Sequence, residues 1–467
     1  MSHSRRPLQA HELCHAIAIR IGSTNHNSDD ILTLSTLINC CQGLVTLEKT
    51  GSAVRLIHFT LQEYLRAHPD LFNRPHSTMA ETCLTYLNFQ HIKDLSPELP
   101  PDPRDTPFLE YSSLYWGTHM RMEISDCSKF LALQLLDRFD GHISAKSLWN
   151  SVKRELSVNL HNGDELFSAL HCISYFGVAE VANTLIDMGR WDVNQEDSAG
   201  RTPLIWAARH GHEEVVSLLL RNKNIQPDRH DSNCQTALSC AAQNGHEGVV
   251  ELLLGHGDVN PDSSCYSSST PLSSASEGGH EGIVKLLLGR KEVNPNSSNS
   301  IGRTPLFSAT EGGHEGIVKL LLCHQDINPE LPSSYALTPL SRAAWNGHEG
   351  IVKLLLERKD VNPDSLSKSG RTPLSWAAEE GHEGIVKLLL GRKDVNPDTP
   401  DTDQGRTPLS WAVGCGRGRV AKLLLKRNDV NPNSSSKSGE TPLMIAAKNK
   451  HHSVVELLQT QNCRPLQ

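Results

Sequence analysis

Gly370-Arg371-Thr372-Pro373-Leu374-Ser375-Trp376-Ala377-Ala378-Glu379-Glu380-Gly381-His382-Glu383-Gly384-Ile385-Val386-Lys387-Leu388-Leu389-Leu390, closed by Asp394-Val395-Asn396-Pro397, is one copy of a unit that recurs through the C-terminal two thirds of the chain. Thr372 can cap a helix start with its hydroxyl, and Pro373 suits the first helical position, where a missing N–H costs nothing. A helix from Leu374 is therefore predicted, with Leu374, Ala377 and Ala378 as a narrow apolar face that lets a neighbouring helix approach closely. Glu379, Glu380 and Gly381 break it. A second, more apolar helix opens at His382-Glu383, its carboxylate placed for the positive helix end, and runs through Ile385, Val386, Leu388, Leu389 and Leu390. The proline at 397 ends the unit by disfavouring helix in the residue before it. Ser- and Gly-rich stretches such as 398–405 then read as hairpin tips.

The marker Thr-Pro-Leu falls at Thr202, Thr270, Thr304, Thr338, Thr372, Thr407 and Thr441, with Thr236-Ala237-Leu238 filling the gap. Every step is 34 residues except Thr372 to Thr407, which is 35. One step back from Thr202 lies a weakened copy, Ser168-Ala169-Leu170-His171, which makes nine units. A fixed period in this range signals stacked helical hairpins, whose usual product is an extended binding surface and not a catalytic cleft. The unit resembles the ankyrin repeat in its Thr-Pro-Leu, paired alanines, Gly-His, Val-Leu-Leu run and Asp-Val-Asn, over about 164–458. After Thr-Pro-Leu the family usually carries His, which only His171 keeps. Ser239, Ser273, Ser341, Ser375 and Ser410 stand there instead, with Phe307 and Met444 elsewhere, so the inter-repeat bonds of that histidine are expected to be lost or replaced by shorter serine contacts. Lys450-His451-His452 replaces Gly-His-Glu in the last unit, as suits a water-facing cap.

The chain has 467 residues, 37% hydrophobic content and a net charge of -8, mixed along its length. No basic arm, signal segment or membrane-length apolar run is present, which argues against nucleic-acid or membrane binding and for a soluble cytoplasmic or nuclear protein. Twelve irregularly spaced cysteines suggest reduced, mostly buried thiols and neither a disulfide framework nor a zinc site.

Residues 1–160 do not repeat. Helices are predicted over Leu8 to Ile21 and Ile31 to Cys41, short strands at Gly43 to Val45 and Val54 to Phe59 around a turn at Glu48 to Ser52, and further helix at Glu63 to Leu65. Two patterned stretches follow, Met79 to Phe89 and Asp105 to Arg121, separated by the proline-rich Leu95 to Pro103. The runs Arg6-Pro7-Leu8, Cys41-Gln42-Gly43-Leu44-Val45 and Leu56-Ile57-His58-Phe59-Thr60-Leu61-Gln62-Glu63-Tyr64-Leu65 resemble the winged helix that follows the nucleotide-binding domain in fungal NACHT-ankyrin proteins. The stretches Glu81 to Leu87 and Phe108 to Gly117 resemble that family's helical connector. The resemblance implies a sensor arm of a signalling receptor linked to self/non-self recognition. The chain has no Gly-Lys pair, so no P-loop can be built from it. It therefore resembles the C-terminal part of such a receptor, and the alternative reading is a piece of a nucleotide-dependent switch whose P-loop domain lies upstream.

Each His-Glu pair, at His212, His246, His280, His314, His348 and His382, is followed four residues on by valine and never by the second histidine of a zinc protease helix. These histidines read as turn and helix-start residues. Cys14-His15 and Cys323-His324 are sequence neighbours, which do not face each other on a helix. The segment from His58 to Arg66 lacks the basic face of a DNA-recognition helix.

The expected protein is thus all-α: a winged-helix-like module at 1–75, a helical connector at 76–160 and a nine-unit ankyrin solenoid at 164–467. It is expected to bind a protein partner through its concave helix face and hairpin tips, with no catalysis, cofactor, metal or small-molecule substrate. Candidate contact residues are the variable pairs before each unit's second glycine: Arg209 and His210, Gln243 and Asn244, Glu277, Glu311, Trp345 and Asn346, Glu379 and Glu380, and Lys448 and Asn449. Trp345 stands out as an exposed aromatic of the kind that anchors interfaces. Trp206, Trp376 and Trp411, four residues after their Thr, read as packing at the inter-repeat seam. Arg201, Arg303, Arg371 and Arg406, each just before a Thr, line the hairpin side, where they can meet an acidic partner or form a solvated charge stripe.

Overall fold

The computed structural model describes residues 5–25, 30–41, 45–47, 53–56, 63–65, 68, 74–96, 105–155, 167–263 and 269–462. The chain forms two compact units, Met1–Ser232 and Asn233–Gln467.

In the first unit, a short helix at Ala10–Ala18 starts where the Glu12 carboxylate accepts the Gln9 N–H at 2.8 Å and a fork from Arg6 at 2.7 and 2.5 Å. A second helix, Leu34–Cys40, is capped by Thr33. Both are shorter than their apolar patterns suggest, because the Thr33 cap delays one start and the extended backbone at Ile19 ends the other. Strands β1 (Val45–Leu47) and β2 (Val54–Leu56) pair antiparallel, with Val45 opposite Leu56 and Leu47 opposite Val54. The expected strand residues Gly43 and Ile57 to Phe59, and the turn between the strands up to Ser52, lie outside the described residues, while Glu63 to Leu65 is helical.

The connector is built on helices Pro75–Leu87 and Leu109–Met122, which pack along each other, and on Asp126–Leu136 and Ile143–Glu155, two helices that the sequence pattern does not announce. An aromatic cluster fills their interior: Tyr86 meets Phe108 edge-on at 5.5 Å, and Phe108 stacks on Tyr111 at 5.5 Å. Trp116, fully buried, reaches Phe176 of the first repeat at 5.2 Å. Its neighbour Gly117 makes this seat: a Cβ there would lie 2.3 Å from the Phe176 ring.

Two helix pairs of the repeat complete the first unit, Ala169–Phe176 with Ala179–Met188 and Pro203–Arg209 with Glu213–Leu220. Seven more make up the second, from Ala237–Asn244 with Glu247–Leu254 to Pro442–Lys448 with His452–Asn462. In the unit quoted at the outset the helices are Pro373–Glu380 and Glu383–Leu390, so proline itself occupies the first helical position under the Thr372 cap. The leucine of every Thr-Pro-Leu in the second unit, except that of the last repeat, is buried, and Leu374, Ala377, Ala378, Val386 and Leu389 are at 0% exposure. Each such leucine contributes roughly 1.5–3 kcal/mol by leaving water.

Neighbouring repeats are also tied by polar contacts. Several second-helix histidines bond by Nε2 to a carbonyl one repeat back, His280 to Gln243 at 3.0 Å, His314 to Glu277 at 3.0 Å, His382 to Trp345 at 3.0 Å and His451 to Gly414 at 3.1 Å, whereas His348 Nε2 has no such partner. Arg358, Arg392 and Arg427 each reach the last carbonyls of the preceding second helix at 2.8 Å while forking onto Asp360, Asp394 and Asp429. Hairpin tips add backbone bonds, Ser334 N–H to Ile301, Lys368 to Tyr335, Thr402 to Ser369 and Lys437 to Gln404, at 2.8–3.0 Å. The serines after Thr-Pro-Leu do not span repeats: the Ser239 hydroxyl returns to the carbonyl of its own Thr236 at 3.0 Å. His171, by contrast, reaches the Gln195 and Arg201 carbonyls at 2.9 and 3.0 Å, so the family bond survives in the first repeat.

The thiols depart from expectation. Cys14, Cys83, Cys172 and Cys240 are free and buried, but Cys40, Cys127, Cys323 and Cys415 are exposed, and Cys234 is disulfide-bonded. Among the described residues no helix is long and apolar enough to cross a membrane.

Two tests follow from this packing. Gly347 has φ +82°, and a Cβ on it would meet the His382 ring at 2.6 Å, whereas Gly439 has φ +75° and open space around it. Gly347→Ala should therefore cost about 2–3 kcal/mol in chemical denaturation against about 1 kcal/mol for Gly439→Ala; equal losses would show that the histidine contact carries no weight. Burial holds the imidazoles of His142 and His171 down to about 4 from 6.5, so both are neutral in the fold. The unfolded chain binds the extra protons, so their stabilisation is intact above pH 6.5 and is lost as pH falls towards 4. The denaturation midpoint of the first unit should drop from pH 7 to pH 5, and drop less in His171→Gln.

Candidate protein-binding face

The first helices and hairpin tips of the second unit present one face, and its side chains are set by the same repeat geometry. The residue four after Thr is buried at Cys240, Ser274, Ser308 and Ile445, and reaches this face only in the three repeats from Thr338 to Thr407. In the repeats at Thr372 and Thr407 it is Trp376 and Trp411, both half-buried, and the arginine just before each Thr folds over its own repeat's indole: Arg371 on Trp376 at 3.6 Å and Arg406 on Trp411 at 5.1 Å. Arg371 also lies 4.1 Å from the Trp411 ring, so it is held between two indoles. Trp345 stacks on Trp376 at 4.5 Å and 13°, and the Arg342 guanidinium lies over the Trp345 ring at 4.9 Å. Arg342, Trp345, Trp376, Arg371, Trp411 and Arg406 thus form a continuous column of cations and aromatic rings across three repeats, each contact of a kind that contributes on the order of 0.5–2 kcal/mol.

Carboxylates complete it. Glu379 pairs with Arg371 at 2.5 Å, and Glu311 takes both Arg303, at 3.0 Å, and Arg342. Beside the column, a cavity of about 660 Å³ opens between the tips, lined by Phe307, Tyr335, Leu337, Trp345 and Trp376 together with charged groups at its rim.

The structure separates the sequence candidates. Gln243, Asn244, Glu277, Lys448 and Asn449 are exposed on the face, although Gln243 is held by Gln235 at 2.7 Å, Lys448 by Glu440 at 2.6 Å, and the Asn244 and Asn449 amides cap carbonyls. Glu311, Trp345, Asn346, Glu379 and Glu380 are half-buried around the cavity and column. Trp345 is therefore not the freely exposed aromatic expected of it, because Trp376 covers one of its faces. In the first unit Arg209 and His210 are half-buried, and His210 stacks parallel to Trp206 at 5.9 Å.

The arginine row needs correcting. Arg201 is 2% exposed, paired with Asp231 at 3.4 Å and 5.0 Å above Trp206, and Arg371 is 6% exposed. Neither belongs to a solvated stripe or an open contact surface, because an indole and a carboxylate remove each from water. Arg303 and Arg406 stay half-exposed. The tryptophan reading divides in the same way. Trp206, at 0% exposure with its N–H on Asp197 at 2.9 Å, is core, while Trp376 and Trp411 line the open face. The Arg-over-Trp pairing is absent from the sequence reading, yet its signal is there as arginine before Thr with tryptophan four after it.

Two family descriptions match the chain. The one described as ankyrin repeats (3 copies) matches residues 142–231, 225–299, 291–367, 307–401, 340–435 and 393–466. The other, described as the winged helix domain of GPI inositol-deacylase, matches residues 1–73. No curated protein matches the chain.

Removing the central cation tests the column. Arg371→Ala leaves Glu379 unpaired and two indoles uncovered, and should cost about 2–4 kcal/mol in chemical denaturation; a change within about 0.5 kcal/mol, the range of ordinary surface positions, would show that the stack is incidental.

Proposed function

The chain belongs to the ankyrin-repeat family, and from that premise we propose that it is a non-catalytic scaffold that binds a protein partner through its first-helix face and hairpin tips. The observation that carries this is the column and cavity on that face. Half-buried aromatic rings held rigidly by arginines are the anchors that interfaces use, since little side-chain freedom remains to be lost on binding. Among the described residues the second helices carry no comparable cluster, and their outer surface holds exposed lysines such as Lys285, Lys319, Lys353 and Lys387. Gln243, Glu277, Glu380 and the other variable positions then supply the surroundings that tune the choice of partner.

The arrangement of the chain extends the reading. A segment similar to a winged helix, a helical connector and an ankyrin array follow one another in the order found in NACHT-type signalling receptors, and we assign this chain the role of the sensing arm in such a system, acting in the cytoplasm.

Lysines on the two sides serve as reporters. With the bound partner cross-linked to the full chain, links should fall on the tip lysines Lys368 and Lys437, and spare Lys285, Lys319, Lys353 and Lys387. Links concentrated on the second-helix lysines would refute the assigned face.

A further inference from the structure

One repeat breaks the rule that its neighbours keep. The tips at 299–303, 367–371 and 401–406 share three features. A side chain at the first position accepts the backbone N–H of the arginine, from Asn299 at 3.0 Å, Ser367 at 3.1 Å and Asp401 at 3.1 Å. A glycine with positive φ follows, Gly302, Gly370 or Gly405. An arginine closes the tip. The tip Ser333-Ser334-Tyr335-Ala336-Leu337 has none of these. Ala336 takes the left-handed conformation at φ 54°, Leu337 stands in place of arginine, and the Ser333 hydroxyl has no partner although Ser333 is 7% exposed. The same repeat carries Arg342 where Trp376 and Trp411 stand in later ones. Both members of the Arg-over-Trp pair are thus missing from this repeat, and the cavity of about 660 Å³ lies where they would be. A non-glycine residue held in left-handed backbone beside a cavity is the kind of local strain that marks functional sites.

The chemistry of the walls selects the occupant. The floor is apolar and aromatic, from Phe307, Trp345 and Trp376, and Tyr335 stands 69% exposed at the rim. Three cations line the cavity, Arg303, Arg342 and Lys368, against two carboxylates, Glu311 and Asp403, which leaves one positive charge in surplus within a chain of net charge -8. Arg303 and Arg342 share the single Glu311 carboxylate, and Lys368 makes no ion pair with any described residue. Cations in excess of carboxylates, with the Lys368 ammonium unpaired, call for an anionic acceptor on the ligand.

Resting on the protein-binding reading above, we infer that this cavity takes an acidic peptide segment of the partner. An apolar or aromatic side chain of the segment lies against Trp345 and Trp376, and an adjacent Asp or Glu is received between Arg303, Arg342 and Lys368.

A random dodecapeptide library displayed on phage and selected on the full chain tests this directly. Enriched peptides should carry Asp or Glu within two residues of an apolar or aromatic residue. A fluorescein-labelled copy of the enriched peptide should bind about tenfold or more weakly when NaCl is raised from about 0.05 to about 0.5 M. The decisive variant installs the pair of the two following repeats: Leu337→Arg with Arg342→Trp fills the cavity, and should lose binding about tenfold or more while Tm stays the same or rises. Neutral or basic enriched peptides, or binding undiminished in the filled variant, would overturn the assignment. If such binders are lost instead with Trp411→Ala, the assignment falls while the protein-binding face stands. A library without any binder overturns both.

Discussion

No helix pair of the repeat can bury its own apolar side, and every other property of the arrays depends on that constraint. Leu374, Ala377, Val386 and Leu389 are at 0% exposure, and the helices that carry them pack on those of the adjacent repeats as well as on each other. Because burial requires the neighbour, the neighbours must sit in a fixed register. The histidine at most second-helix starts secures it, as His314 and His382 do with the ring resting on a positive-φ glycine and Nε2 bonded to a carbonyl of the preceding unit, while Arg417 makes the corresponding bond to Glu379 in its repeat. The glycine is thus needed for its backbone conformation and for the absence of a Cβ.

That register also builds the binding face. Side chains at one position in successive units fall in line, so an arginine before one Thr can lie between the tryptophans of two repeats, as Arg371 does. The periodicity that stabilises the array therefore lays out a rigid aromatic column without dedicated supports. Where the period fails, at Leu337 and Arg342, the column opens into a cavity. Regularity supplies the scaffold, and departure from it supplies individuality.

The parts legible in the sequence are those that depend on local chemistry. Thr caps, Pro at the first helical position, glycine breaks and apolar spacing place the helix pairs to within a residue or two, because each signal acts within one turn. The parts that escape it depend on contacts one period apart. His382 reads locally as a helix-start residue, and nothing in its own repeat reveals that it bonds to Trp345. Arg201 and Arg371 read as surface charges because arginine usually is one, and their burial follows only from an indole and a carboxylate brought close by folding. The connector helices 126–136 and 143–155 escape for a related reason: their apolar positions answer to the cluster around Tyr86 and Trp116 and not to a repeated pattern.

Dependence on neighbours is tested most directly by native-state hydrogen exchange on the full chain carrying Leu374→Ala, a change that opens a cavity in one repeat of the second unit. Dependence of this kind predicts that amide protection falls most in that repeat, less in the repeats beginning at Thr338 and Thr407, and little in those beginning at Thr236 and Thr441. A uniform loss across the seven repeats, or a loss confined to the altered repeat alone, would contradict it.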